Sequence, residues 1–205
     1  MIEQLIQAFV VLCVVIDPIG SVPVFLASTN TLSSKERKIT AFRAVLFAAI
    51  VLLFFLVLGQ LILEAMDISI SAFQIAGGLV LLYFGFTMIF GESKPESEMN
   101  MKDSKVDVAI FPMAVPSLAS PGAMMAIVLL TENETFTFMN QFITALVMIF
   151  VLLIAWVLLL AASKIQKVIG DSGAAIISRV MGLILAAVAV DSILEGLVVY
   201  FNLNI

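Results

Sequence analysis

Two stretches decide the fold: Asp17-Pro18-Ile19-Gly20-Ser21-Val22-Pro23 and Pro116-Ser117-Leu118-Ala119-Ser120-Pro121-Gly122. Each interrupts a long apolar run near its middle. In each, a capping side chain, Asp17 or Ser120, directly precedes a proline. Proline lacks a backbone donor and clashes with the turn before it, so it stops a helix. It is welcome at the first position of a new helix, just after an Asp or Ser cap. The pair therefore predicts two helices broken in mid-span, each with a second half that starts afresh.

The sequence on either side of the breaks is too apolar for water. Of 205 residues, 62% are apolar and 12% charged, against about 45–50% and about 25% in a soluble domain. This excludes a disordered chain, a disulfide-rich secreted module and an ordinary soluble enzyme. A net charge of −5 leaves no basic surface for nucleic acid. A spanning helix needs about 20 apolar residues. Uncharged runs at 44–63, 68–91, 108–131 and 135–163 meet that length. Two more, at about 4–27 and about 174–201, carry Asp17 in the first and Arg179, Asp191 and Glu195 in the last. The expected fold class is an all-α membrane protein of six transmembrane helices, with helices 1 and 4 broken near the midplane, in one membrane domain over 1–205. The alternation of a β-barrel is missing. No Lys or Arg precedes the first run, so no cleaved signal peptide is expected.

The ten Lys and Arg residues orient the bundle. Lys35, Arg37, Lys38 and Arg43 flank the first connection. Lys94, Lys102 and Lys105 lie in the third, and Lys164, Lys167 and Arg179 flank the fifth. The other connections and both ends have none. The positive-inside rule then places connections one, three and five in the cytoplasm and both termini outside. The expected location is the plasma membrane, or the inner membrane of a Gram-negative cell. The polar segment 91–107, with Pro95, reads as a cytoplasmic loop. It separates a first three-helix repeat (1–90) from a second (108–205).

The spacing supports a duplication: 103 residues separate Asp17 from Ser120, and 104 separate Gly78 from Gly182. A three-helix unit is odd, so its second copy crosses the membrane inverted. Inverted repeats with broken helices characterise many secondary transporters, and the breaks mark their substrate site. A helix N-terminus carries unpaired N–H groups and roughly half a positive charge, which suits a carboxylate. Unwound carbonyls suit an ammonium or a cation. The candidate substrate-binding residues are Asp17, Pro18, Gly20, Ser21, Ser120, Pro121 and Gly122. Pro23, Gly77, Gly78, Pro116 and Gly182 are candidates for close packing or hinges.

An intramembrane carboxylate costs roughly 2.5–3.5 kcal/mol on insertion scales and faces a cavity or a partner. Asp17 is the first such residue; it can cap its half-helix, hold an ammonium or carry a proton. Asp191 and Glu195 are four apart on one face of the last helix. Asp17 and Asp191 are the candidates for ion coupling. Arg179 reads as an anchor that snorkels to the headgroups. Gln60 and Gln74 read as polar groups solvated at outer helix ends, and Trp156 and Cys13 as packing residues. The chain has no His, no P-loop and no nucleophile elbow. No enzyme activity, cofactor or metal site is expected.

The motifs also carry a resemblance. Asp17–Pro23 resembles the first-helix signature of the MarC family, and Phe73–Gly78 its third-helix motif. Phe111-Pro112 through Pro121-Gly122-Ala123 resembles its fourth-helix motif, and Ser178–Leu185 its sixth. The resemblance covers the chain in order. It implies a six-helix inner-membrane protein related to the amino-acid exporter superfamily typified by the lysine exporter, and similar to neutral amino-acid transporters. Asp191 stands where the family usually carries an uncharged polar residue. The leading expectation is a secondary transporter of small neutral amino acids or similar zwitterions, ion-coupled or exporting. Its expected partners are the lipid bilayer, the solute, and a proton or sodium ion, with the oligomeric state open. A non-transporting assembly component and a passive small-solute channel stay open as alternatives.

Overall fold

A computed structural model describes residues 2–90, 107–131 and 138–202. The loop expected over 91–107 lies outside them, except for Asp107, as does the start of the run expected at 135–163. Among the described residues every element is a helix. The first span consists of α1 (Ile2–Ile16) and α2 (Ser21–Ser28), separated at residues 17–20. Next come α3 (Ser34–Ala65) and α4 (Ile70–Phe90). The second broken segment is α5 (Ala109–Leu118) followed by α6 (Pro121–Leu129), bent by 51°. The last elements are α7 (Phe138–Leu160) and α8 (Ala162–Tyr200). Five helical stretches are long and apolar enough to span a bilayer, and the bent pair brings the count to at most six.

Local sequence explains the ends. Ser33 and Glu36 start α3 with reciprocal bonds: the Ser33 N–H donates to Glu36 Oε2 at 2.8 Å, and the Glu36 N–H to Ser33 Oγ at 3.4 Å. The 32 residues of α3 extend about 48 Å at 1.5 Å each, beyond a hydrocarbon core of about 30 Å. Its surplus is the first turns, which carry Lys35, Arg37 and Lys38. Arg37 also donates to the carbonyls of Thr29 and Asn30, which closes the first connection. Arg43 pairs with Asp107 at 2.6 Å, and Asp107 Oδ1 accepts the Ala109 N–H at the start of α5.

Within α5, Phe111 and Val115 are extended. Each precedes a proline, and the proline ring pushes its predecessor out of the helical region. The chain therefore widens, and the Ala119 N–H reaches back five residues to the Ala114 carbonyl. The fifth connection is shorter than the charges suggest. α8 begins two residues after α7 ends, and Gly170, at φ +66°, redirects it before the span at Ala175–Tyr200.

Packing is that of a protein in lipid. On α3 the buried positions include Ala41, Ala44, Ala48 and Leu52, while Phe42, Leu46, Ile50 and Phe54 face outward. Small residues face the bundle and bulky ones the bilayer, which brings backbones close. The α7 face of Met148, Leu152, Ala155 and Leu159 is buried, and α7 packs on α1 and α3. The most extensive pairing is α4 along α8. A Cβ at Gly85 would stand 3.0 Å from the Gly182 carbonyl oxygen, one at Gly78 2.8 Å from that of Ala189, and one at Gly196 3.1 Å from that of Ser71. As numbers fall along α4 they rise along α8, so the two run antiparallel.

Candidate functional site

The two breaks are built alike. At the first, the Asp17 N–H closes α1 on the Cys13 carbonyl at 3.1 Å. Asp17 itself is left-handed, at φ +47°, a conformation Asp tolerates better than most residues. Its Oδ1 accepts the Gly20 N–H at 2.9 Å, and its carbonyl accepts the N–H and the hydroxyl of Ser21. Pro18 occupies the first turn, where a missing donor is harmless. At the second, Ser120 Oγ accepts the Ala123 N–H at 3.1 Å, and the Ser120 carbonyl accepts the Met124 N–H at 3.0 Å. Pro121 follows it. Side chain to the third residue on, carbonyl to the fourth, proline between: the hydrogen bonds correspond, but the expected cap followed by proline at the first helical position is met only at Ser120-Pro121, since the N-cap of α2 is Gly20, with no side-chain bond. One detail differs. Regular helix resumes at Ser21 rather than at Pro18, because residues 18–20 form a tighter turn.

The breaks also touch. Ser120 Oγ donates to the Val15 carbonyl at 3.2 Å, and Ser117 Oγ to Ser21 Oγ at 3.1 Å. Val15 lies near the end of α1, where helix carbonyls lose their own partners. Asp17, Ser21, Ser117 and Ser120 are all buried. Asp17 packs closely on Gly20: a Cβ there would fall 2.0 Å from Asp17 Oδ2, and the carboxylate would have to shift. Pro23 lies in α2 and Pro116 in α5. Gly77 faces Met125 of α6, whereas Gly78 and Gly182 form the α4–α8 contact.

Asp191 is elsewhere. A cavity of about 1250 Å³ opens between α1, α3, α4, α6 and α8. Asp191 and Glu195 line it, with Glu64 and Asp67. Asp191 and Glu195 are exposed, and Gln74 Nε2 donates to Glu195 Oε2 at 3.2 Å. Asp17 is not among the lining residues. The residues around the cavity include no Lys or Arg. Among the described residues no group of three or more His, Cys, Asp or Glu could hold a metal.

Sequence reading missed three contributors. Ser117 bridges the breaks, and the only hint is its position three residues before Ser120. Gln60 is buried rather than solvated: its Nε2 donates to the Thr131 carbonyl at 3.1 Å, as Gln141 does at 2.8 Å. The two amides satisfy the far end of α6, whose near end Ser120 caps. Leu81 is the third; it lines the cavity and is 1% exposed.

These features define a multi-helix membrane protein in which two discontinuous helices meet at their breaks. The chain belongs to the MarC family: the model of the MarC family integral membrane protein matches residues 2–201. A UPF0056 membrane protein of Methanocaldococcus jannaschii is 34% identical, over 96% of this chain and 97% of its own. A UPF0056 membrane protein of Buchnera aphidicola is also 34% identical, over 96% and 93%. The UPF0056 membrane protein YhcE of Escherichia coli is 30% identical, over 92% and 89%. No solved structure matches the chain.

Proposed function

We propose that the chain is a secondary transporter of small neutral amino acids or similar zwitterions, working by alternating access around the paired breaks. The observation that carries this reading is the contact between two helix breaks whose four polar side chains are buried together. Buried polar groups inside a membrane protein are costly and mark pathways. The positive end of a half-helix favours a carboxylate, and Asp17 is an acceptor for an ammonium. Asp17 and Asp191 are the proposed coupling groups for a proton or sodium ion.

The halves 1–90 and 108–205 are proposed as inverted repeats, six helices in all. The caps support this, and so does the α4–α8 contact. A shift of 104 residues carries Gly78 to Gly182 and Gly85 to Ala189, so the contact Gly78–Ala189 becomes Gly182–Gly85 and the interface maps onto itself. The proposed setting is the plasma membrane, with both termini outside.

The test is uptake by proteoliposomes of purified protein, using a panel of labelled amino acids with and without a pH or sodium gradient. Gradient-driven accumulation of a small neutral amino acid is expected. Uptake that only equilibrates would indicate a channel. No uptake of any panel member would favour an assembly role.

A further inference from the structure

We infer that Leu81 is a gate: it closes the floor of the vestibule and roofs the paired breaks. The inference deepens the transport reading and rests on it for the meaning of the gate, though not for the gate's existence. Leu81 lies on α4, faces the cavity and is buried. Its Cδ2 would stand 2.8 Å from a Cβ placed on Gly122, and Ser120 Oγ lies 3.7 Å from that same point. Leu81 therefore touches both the cavity and the first turn of α6, which Ser120 caps. Gly122 makes room for Leu81, because a Cβ there would collide with it. Ala126, one turn further along α6, also lines the cavity. None of the four buried polar side chains of the breaks lines the cavity, and Leu81 is the lining residue in contact with Gly122, next to the Ser120 cap.

The gate is apolar, so hydrated solutes are excluded while it is closed, and α4 must move or Leu81 must change rotamer for a solute to pass. A shorter side chain should leave the path open, and a bulkier one should seal it. Leu81 thereby also sets the largest solute that reaches the breaks from this side.

The test is thiol labelling in membrane vesicles. Cys13, the one native cysteine, is first replaced by Ala. A cysteine is then placed on the vestibule wall (Ala126→Cys) or beneath the gate (Ser120→Cys). A membrane-impermeant cationic methanethiosulfonate is applied from each side in turn. The side that labels Ala126→Cys is the vestibule side. From that side Ser120→Cys is expected to be protected while Leu81 is present. With Leu81→Ala it should react about ten- to a thousandfold faster, since a closed gate passes reagent only through a minor state of about 0.1–10%. Ser117→Cys serves as a second reporter where the loss of the Ser120 cap prevents folding. Equal labelling of Ser120→Cys and Ala126→Cys with Leu81 intact would overturn the gate, as would continued protection with Leu81→Ala. Labelling needs no flux. A Leu81-dependent result in a protein that transports nothing leaves the gate standing and removes the transporter reading; the converse removes the gate alone.

Discussion

At the residue scale, Asp17 does two things that substitutions separate. Its carboxylate caps the turn through Gly20, and its backbone is left-handed. Asn performs both functions without the charge. Asp17→Asn should therefore melt within about 1 kcal/mol of the wild type, whereas Asp17→Ala should lose about 2 kcal/mol or more from the missing cap and the unfavourable φ. Thermal or denaturant unfolding in detergent checks both. Equal losses for the two variants would show that the charge, not the cap, holds the break. Asp17 and Ser120 were legible in the sequence because a cap followed by proline is a purely local signal. Ser117 and Gln60 were not, because their partners Ser21 and Thr131 are fixed only when distant segments pack.

At the scale of elements, the α4–α8 pair relies on glycines that face backbone. A Cβ at Gly182 would fall 2.8 Å from Met88 Cβ and 2.9 Å from the Gly85 carbonyl oxygen. Gly182→Leu should push the helices apart, with a loss of about 1–3 kcal/mol or failure to fold, read as a lowered melting temperature or aggregation on size exclusion. Gly170 acts differently: nothing lies within 4 Å of its Cβ position, but its φ is +66°. At φ +66° and ψ 176° the backbone is in a region essentially reserved for glycine, so Gly170→Ala and Gly170→Asn should each cost about 1–3 kcal/mol through backbone strain alone. The sequence showed the helices as apolar runs and showed the glycines as small faces. It did not show that α4 and α8 are the pair they join, since small faces fit any close neighbour. Nor did it show how nearly α7 runs into α8, since Lys164 and Lys167 read as loop charges.

At the scale of the molecule, α3 carries Lys35, Arg37 and Lys38 on its first turns, and the cavity lined by Glu64, Asp67, Asp191 and Glu195 opens by its other end. The positive-inside rule puts the first of these ends in the cytoplasm. A reporter fused after Asn202 should therefore be active only if it functions outside the membrane, and one inserted in the 91–106 segment only if it functions in the cytoplasm. Matching activity on one side for both would undo the orientation. The measurement that bears most directly on the breaks as a transport site is counterflow of small neutral amino acids into preloaded proteoliposomes, run in parallel for wild type and Asp17→Asn. Counterflow by the wild type, lost in an Asp17→Asn protein that melts normally, is the expected result. A correctly folded wild type that exchanges no amino acid, or an Asp17→Asn protein that exchanges as fast as wild type, would contradict it.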